Sequence, residues 1–331
     1  MKLQLLLIIL SIACATWPLL AAPRSRDEAA APNFGRNRVV RVATVTQNRL
    51  QRGADIVEDT MAWLDQAAAS HPDIVCLPEV WTRKGPEPVP GPTTRMMAEW
   101  ARAHHCYVIC PIKTKVKGKV YNSAVLIDRA GQIVGRFDKI HPTEGELKGG
   151  VCPGAVDPPV FQCDFGKIGI QICFDVNWRD RWERLVNKGA EIIFWPSAYP
   201  ADRQLSALAW MNQVYVVSST MTQFAAIYDI CGDTLAKTAQ YQQWTSAAIS
   251  LDKRLFEIDY HISKMRKIQA KYGQGKRVNV HWIASSDWLT LESLDPELSV
   301  DDIIKEFELT PWDAYHERCT QAVNAAREAN K

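Results

Sequence analysis

Cys173, Glu79 and Lys139 are of types that together could perform nucleophilic chemistry. Cys173 follows an apolar, β-prone run at residues 168–172. The residues after it change period, with Trp178, Trp182, Leu185 and Val186 spaced to share one helical face. A thiol at such a strand-to-helix turn can project above a sheet with N–H groups nearby, which lowers its pKa and offers donors to a developing oxyanion. Taken alone, Cys173 reads more readily as one of the buried, inert cysteines common in cores. Glu79 and Lys139 also stand where apolar strands give way to loops, in DIVCLPEVW and GRFDKIHPTEGE. A carboxylate can serve a thiol as general base, and a lysine can hold negative charge on an oxygen. Singly, each reads as solvated loop surface.

The elements that must position these residues can be read from the pattern. Residues 39–46 alternate like a strand, and residues 54–70 carry apolar positions near helical spacing until His71-Pro72-Asp73 breaks them. Residues 74–78 form a short buried strand, so the chain opens as β-α-β with a parallel pair. A helix over 93–104 and a strand over 107–112 follow, then a hairpin of 121–127 and 132–137 around a turn at 128–131. After the Cys173 unit, Gly189 is placed to end a helix, and residues 192–195 read as the next strand. A helix near 205–213, a strand over 214–220 and antiparallel strands within 226–251 complete an α/β domain with mixed sheets. Beyond about residue 255 the pattern becomes that of appended helices. Ser299 and Asp302 form a possible capping box, and Thr310-Pro311 opens another helix.

The 331 residues suit one large domain with additions, and 47% hydrophobic with 23% charged residues is ordinary globular composition. A formal net charge of +2 gives no reason to expect nucleic acid or an anionic membrane as partner. Residues 1–22 have a charged start, an apolar run and small residues, the pattern of a signal peptide that would send the chain to a secreted or periplasmic location. A lipoprotein anchor at Cys14 is disfavoured by the lack of a Leu three residues earlier, and Trp17-Pro18 interrupts a run already short for a span. No membrane span is expected in the mature chain. Residues 23–37 read as a linker, 38–285 as the domain and 286–331 as a C-terminal helical extension. Of nine cysteines, Cys152 and Cys163 form the single pair worth testing for a disulfide. No cysteine–histidine spacing suits zinc, so no metal or cofactor is expected.

In this order, the settings of Glu79, Lys139 and Cys173 resemble those of the carbon–nitrogen hydrolase family, the nitrilase superfamily. The matching strings are LPEVW, YNSAVLID, FDKIHPTEGE, IGIQICFDVNW, GAEIIFWPSA and NQVYVVSST, over about residues 38–255. The resemblance implies a four-layer α-β-β-α sandwich with two mixed sheets and a triad at the sheet ends. It implies Glu79 as general base, Cys173 as nucleophile, and Lys139 with the Phe174 backbone N–H as oxyanion donors. It also implies a second glutamate beyond the lysine, for which the spacing of Glu146 suits better than that of Glu144. Homodimers or higher homo-oligomers are common in the family.

Within the family, cysteine-aromatic-aspartate resembles amidases and carbamoyl-amide hydrolases, so Asp175 points to a small-molecule amide or N-carbamoyl substrate. A nitrile is the alternative, since Lys139-Ile-His-Pro-Thr143 is faintly similar to the nitrilase loop. A catalytically dead secreted binding module is a further alternative, against which stands the presence of all three triad residues. Acyl transfer is set aside, because the members that perform it are membrane-embedded. Trp81, Trp178, Trp195 and Tyr199 flank the motif positions and are candidates, with Asp175, to wall the pocket. The Phe174 side chain is expected to pack. His141 is read as structural.

Overall fold

The computed structural model describes residues 38–48, 55–274, 278–283 and 286–330. The leader and linker readings therefore lie outside the described residues. The chain runs β1 (Val39–Val45), α1 (Ile56–Ala68), β2 (Ile74–Cys76), α2 (Pro92–His104), β3 (Tyr107–Val116), β4 (Lys119–Ile127), β5 (Ile133–Asp138) and α3 (Glu144–Lys148). It continues through β6 (Val160–Gln162), β7 (Lys167–Ile170), α4 (Arg179–Asn187), β8 (Ile192–Ser197), α5 (Asp202–Asn212), β9 (Tyr215–Thr220), β10 (Ala226–Tyr228), β11 (Thr234–Lys237) and β12 (Trp244–Ser250). The last segment holds β13 (Lys253–Glu257), α6 (Ile262–Tyr272), β14 (Val278–Ile283), β15 (Trp288–Ser293), α7 (Val300–Phe307) and α8 (Trp312–Ala329).

Two six-stranded mixed sheets, ordered β12-β1-β2-β3-β4-β5 and β11-β10-β9-β8-β7-β6, pack face to face. Inner strands such as β2 and β8 are apolar at nearly every position because both of their faces are buried. In β1, Val40 and Val42 enter the core between the sheets, while Ala43 and Val45 pack toward α1 and α2. In β8, Ile192 and Phe194 face that shared core, whereas Ile193 and Trp195 face the layer of α4 and α5. Helix, sheet, sheet and helix thus form the four layers. Local chemistry fixes the ends of these elements. Asp55 accepts from the N–H groups of Val57 and Glu58 at the start of α1, and Gly189, with φ +89°, follows the end of α4.

The helices α7 and α8 start where the capping residues indicate, with Ser299 and Asp302 forming a reciprocal box. The sequence did not announce the sheet that accompanies them. A third, antiparallel sheet ordered β13-β15-β14 carries α6 and α7 over a core of its own, which includes Phe256, Met265, Leu289, Leu291 and Ile303. The extension is therefore mixed rather than helical, and Trp288–Ser293 within it is a strand. Its strands are hard to read because β14 exposes half of its residues and β13 pairs with the distant β15. No helix among the described residues is long and apolar enough to cross a membrane. Cys152 and Cys163 are both free thiols, so the proposed disulfide is absent.

Candidate active site

Glu79 lies just beyond β2, Lys139 directly follows β5, and Cys173 lies just beyond β7, so both sheets deliver residues to one end of the sandwich. Cys173 opens a 3-10 turn over Cys173–Asn177, and α4 begins only after it. Its φ of +48° is a left-handed conformation that a non-glycine residue rarely adopts, held here by surrounding structure. The Trp195 indole donates to the Cys173 carbonyl at 3.0 Å and fixes the turn from below.

Lys139 is 1% exposed, and its ammonium donates to Glu79 Oε1 at 2.9 Å and to Glu146 Oε2 at 2.8 Å. Two of its three N–H bonds are thereby used and the third is available. Asn122 ties the same carboxylates together, donating from Nδ2 to Glu79 Oε1 and to Glu146 Oε1, both at 2.8 Å. Its carbonyl also receives the Lys139 backbone N–H at 2.8 Å, so β4 holds the lysine at both ends. Glu146 is anchored by its own element. It sits in the first turn of α3, where Thr143 N–H donates to its carboxylate at 2.8 Å and Thr143 Oγ1 receives its N–H.

The charges follow from this geometry. Burial works against the Lys139 ammonium, but Glu79, Cys173 and Glu146 outweigh it and hold the lysine protonated, above its ordinary range. Burial likewise opposes ionisation of Glu146, yet Lys139 and Asn122 pull its carboxyl below the usual value. Cys173 is pushed up to about 11, by burial first and then by the Glu79 charge. Lys139, the Ser197 side chain and the Ala198 N–H act in the opposite direction. At neutral pH the thiol is therefore protonated and needs a base, which Glu79 can supply through its Oε2, an atom without a partner among the described residues. The Phe174 N–H also finds no acceptor among the described residues, so it is available as a donor beside the thiol.

The remaining sequence candidates separate into two groups. Trp178 and Tyr199 are half-buried, and the Tyr199 hydroxyl is raised by burial and by the nearby charges of Cys173 and Glu79. Trp81, by contrast, is fully buried in the layer between the first sheet and its helices. Trp195 and Asp175 are also 0% exposed, with their polar atoms bound to protein. These three present no surface to a substrate, because large aromatics near a site fill its supporting core as readily as its walls. Phe174 was expected to pack, yet its ring is exposed and meets the edge of Trp178 at 5.3 Å. Ser197 and Ala198 beside the sulfur were missed. Their string, GAEIIFWPSA, was visible, but nothing in it signalled that the end of β8 meets Cys173.

The fold and this arrangement bring a thiol, a carboxylate and a lysine together at the ends of facing sheets. Residues 41–254 match the family model described as carbon-nitrogen hydrolase, and the chain belongs to that family. It is 32% identical over 153 residues to a beta-ureidopropionase of Arabidopsis thaliana, a match covering 41% of this chain and 38% of that protein. It is 25% identical over 244 residues to an omega-amidase of Xenopus laevis, covering 63% of this chain and 86% of that one. The crystal structure of Nit3 from Saccharomyces cerevisiae, a member of branch 10 of the nitrilase superfamily, has the same fold. Its TM-score is 0.58 at 16% identity, covering 75% of this chain and 99% of that one.

Proposed function

We propose that this chain hydrolyses a non-peptide amide or N-carbamoyl bond of a small molecule through a thioester on Cys173. The observation that carries this reading is the buried Glu79–Lys139 pair at 2.9 Å beside a protonated thiol, with one carboxylate oxygen and one ammonium N–H left over. Glu79 Oε2 takes the thiol proton as sulfur attacks the carbonyl carbon. The free Lys139 N–H and the Phe174 N–H receive the oxyanion. Collapse of the tetrahedral intermediate breaks the C–N bond, and protonated Glu79 returns its proton to the departing ammonia or amine. Water then attacks the thioester, again deprotonated by Glu79, and releases the acid and the thiol. The similarity to proteins named as a beta-ureidopropionase and an omega-amidase supports amide-type substrates over nitriles.

The experiment is ammonia release by purified protein from panels of amides, N-carbamoyl compounds and nitriles, with Cys173→Ala as control. Turnover of amides or N-carbamoyl compounds is expected. Turnover of nitriles alone would overturn the substrate assignment, and turnover of nothing would favour a binding module. We further propose that residues 1–22 are removed during export, which N-terminal sequencing of the protein from its host would check.

A further inference from the structure

We propose that Asp175 is a positioning residue that locks the Lys139 loop to the Cys173 turn, with His141 completing the lock, and that neither selects the substrate. This inference rests on the roles given above to Cys173 and Lys139.

Lys139 follows a strand of one sheet and Cys173 a strand of the other. The two sheets face each other, so no β-ladder fixes the register between these residues. Asp175 supplies that missing connection. It has no exposed surface, and its Oδ1 accepts the His141 N–H at 2.8 Å while its Oδ2 lies 3.3 Å from the Ile140 N. These are the two residues directly after Lys139. The same Oδ2 lies 3.2 Å from the N of Ile172, the residue directly before Cys173. His141 Nδ1 also meets Oδ1, at 2.9 Å. Four donors occupy about the four lone-pair sites that a carboxylate has, so no acceptor remains for a substrate.

A second connection joins the same two segments. The His141 ring stacks on Trp178 with centroids 3.6 Å apart and planes 1° from parallel. His141 belongs to the lysine loop, and Trp178 directly follows the cysteine turn. The His141 Nδ1 contact with Asp175 and the stack on Trp178 together hold the ring in one orientation. The residue two places after the nucleophile thus acts on catalysis by setting where the oxyanion donor stands relative to sulfur. Substrate choice is left to half-buried rim groups such as Trp178 and Tyr199.

The test is Asp175→Asn, with kcat and KM measured on one primary amide and one N-carbamoyl substrate. The expected result is a kcat lower by about 100-fold, as for small misplacements of reacting groups, with KM and the ratio between the two substrates unchanged. Alkylation of Cys173 by iodoacetamide at pH 8 should slow as well, because a displaced Lys139 favours the thiolate less. That measurement needs no substrate, so it reads the lock even if the wild-type chain cleaves neither compound, an outcome that would sink the functional proposal alone. His141→Phe keeps the stack and removes one donor, and serves if Asp175→Asn yields no folded protein. It should lose roughly ten-fold in kcat at constant KM. A folded variant whose loss is confined to one substrate, or whose kcat and alkylation rate equal those of the wild type, overturns the proposal.

Discussion

Two buried lysines of this chain have closely similar surroundings and different tasks. Lys139 faces Glu79 and Glu146 with Cys173 nearby, and Lys253 faces Asp229 and Glu292 with Cys231 nearby. Both lysines are raised above the ordinary ammonium range by their carboxylates against the opposing effect of burial, and both cysteines are pushed up by burial first. The difference lies in what is left unused and where. Asp229 spends its second oxygen on the Ile230 N–H, and Glu292 spends one on Asn279, so each carboxylate oxygen of the Lys253 group has a neighbour across the seam between β10 and the third sheet. The Lys139 group instead keeps Glu79 Oε2 free beside a thiol raised on a left-handed turn. Buried charge with a cysteine is therefore no signature of catalysis. The proposed role of the Lys139 group rests instead on its incomplete network at the meeting point of strand ends.

The contrast can be broken by exchanging the expected losses. Cys173→Ala should lower kcat/KM by about 10⁴-fold or more, as removal of a nucleophile does, with ammonia release as the readout. Lys253→Ala should destabilise the fold by about 3–5 kcal/mol in denaturant titration, because the buried Asp229 loses its countercharge. Its kcat per folded molecule should stay unchanged. Lys139→Ala should raise the barrier by about 3 kcal/mol, an effect of at least 100-fold in kcat. The pH profile of Cys173 alkylation sharpens the comparison further. A thiol raised to about 11 is neutral at physiological pH, so the rate should climb as pH rises until about 11. A plateau reached below pH 8 would mean a preformed thiolate and no need for Glu79 as base. The smallest effect belongs to Cys231→Ala, which should change kcat/KM by no more than roughly two-fold.

The strands and helices of an α/β domain with mixed sheets were legible because their evidence is local, whereas the four-layer sandwich came from the resemblance. Alternating or continuous apolar runs, the Ser299 cap, and breaks such as His71-Pro72 each mark an element within a few residues. The positions of Glu79, Lys139 and Cys173 at strand ends were legible for the same reason. Their convergence was not, since it depends on two sheets meeting, and it was reached only through resemblance in the order of the motifs. What the sequence hid is non-local. The pairing of β13 with β15 spans more than thirty residues, and Asp175 draws its donors from a loop 34 and 35 residues away. Asp175 was a candidate for the pocket wall and stands instead beneath the site, its carboxylate bound to protein. Trp81 and Trp195 teach the same lesson, because proximity to a motif in sequence says nothing about which face of a strand end a ring occupies.

The central claim is that carbon from the substrate becomes bonded to Cys173. Rapid acid quenching of the protein during turnover of an amide, followed by peptide mass spectrometry, reads this directly. The account predicts an acyl mass on the peptide containing Cys173, cleaved by hydroxylamine as a thioester and absent from Cys173→Ala. Turnover with no adduct on that peptide under conditions that trap other thioesters, or an adduct on another residue, would contradict it.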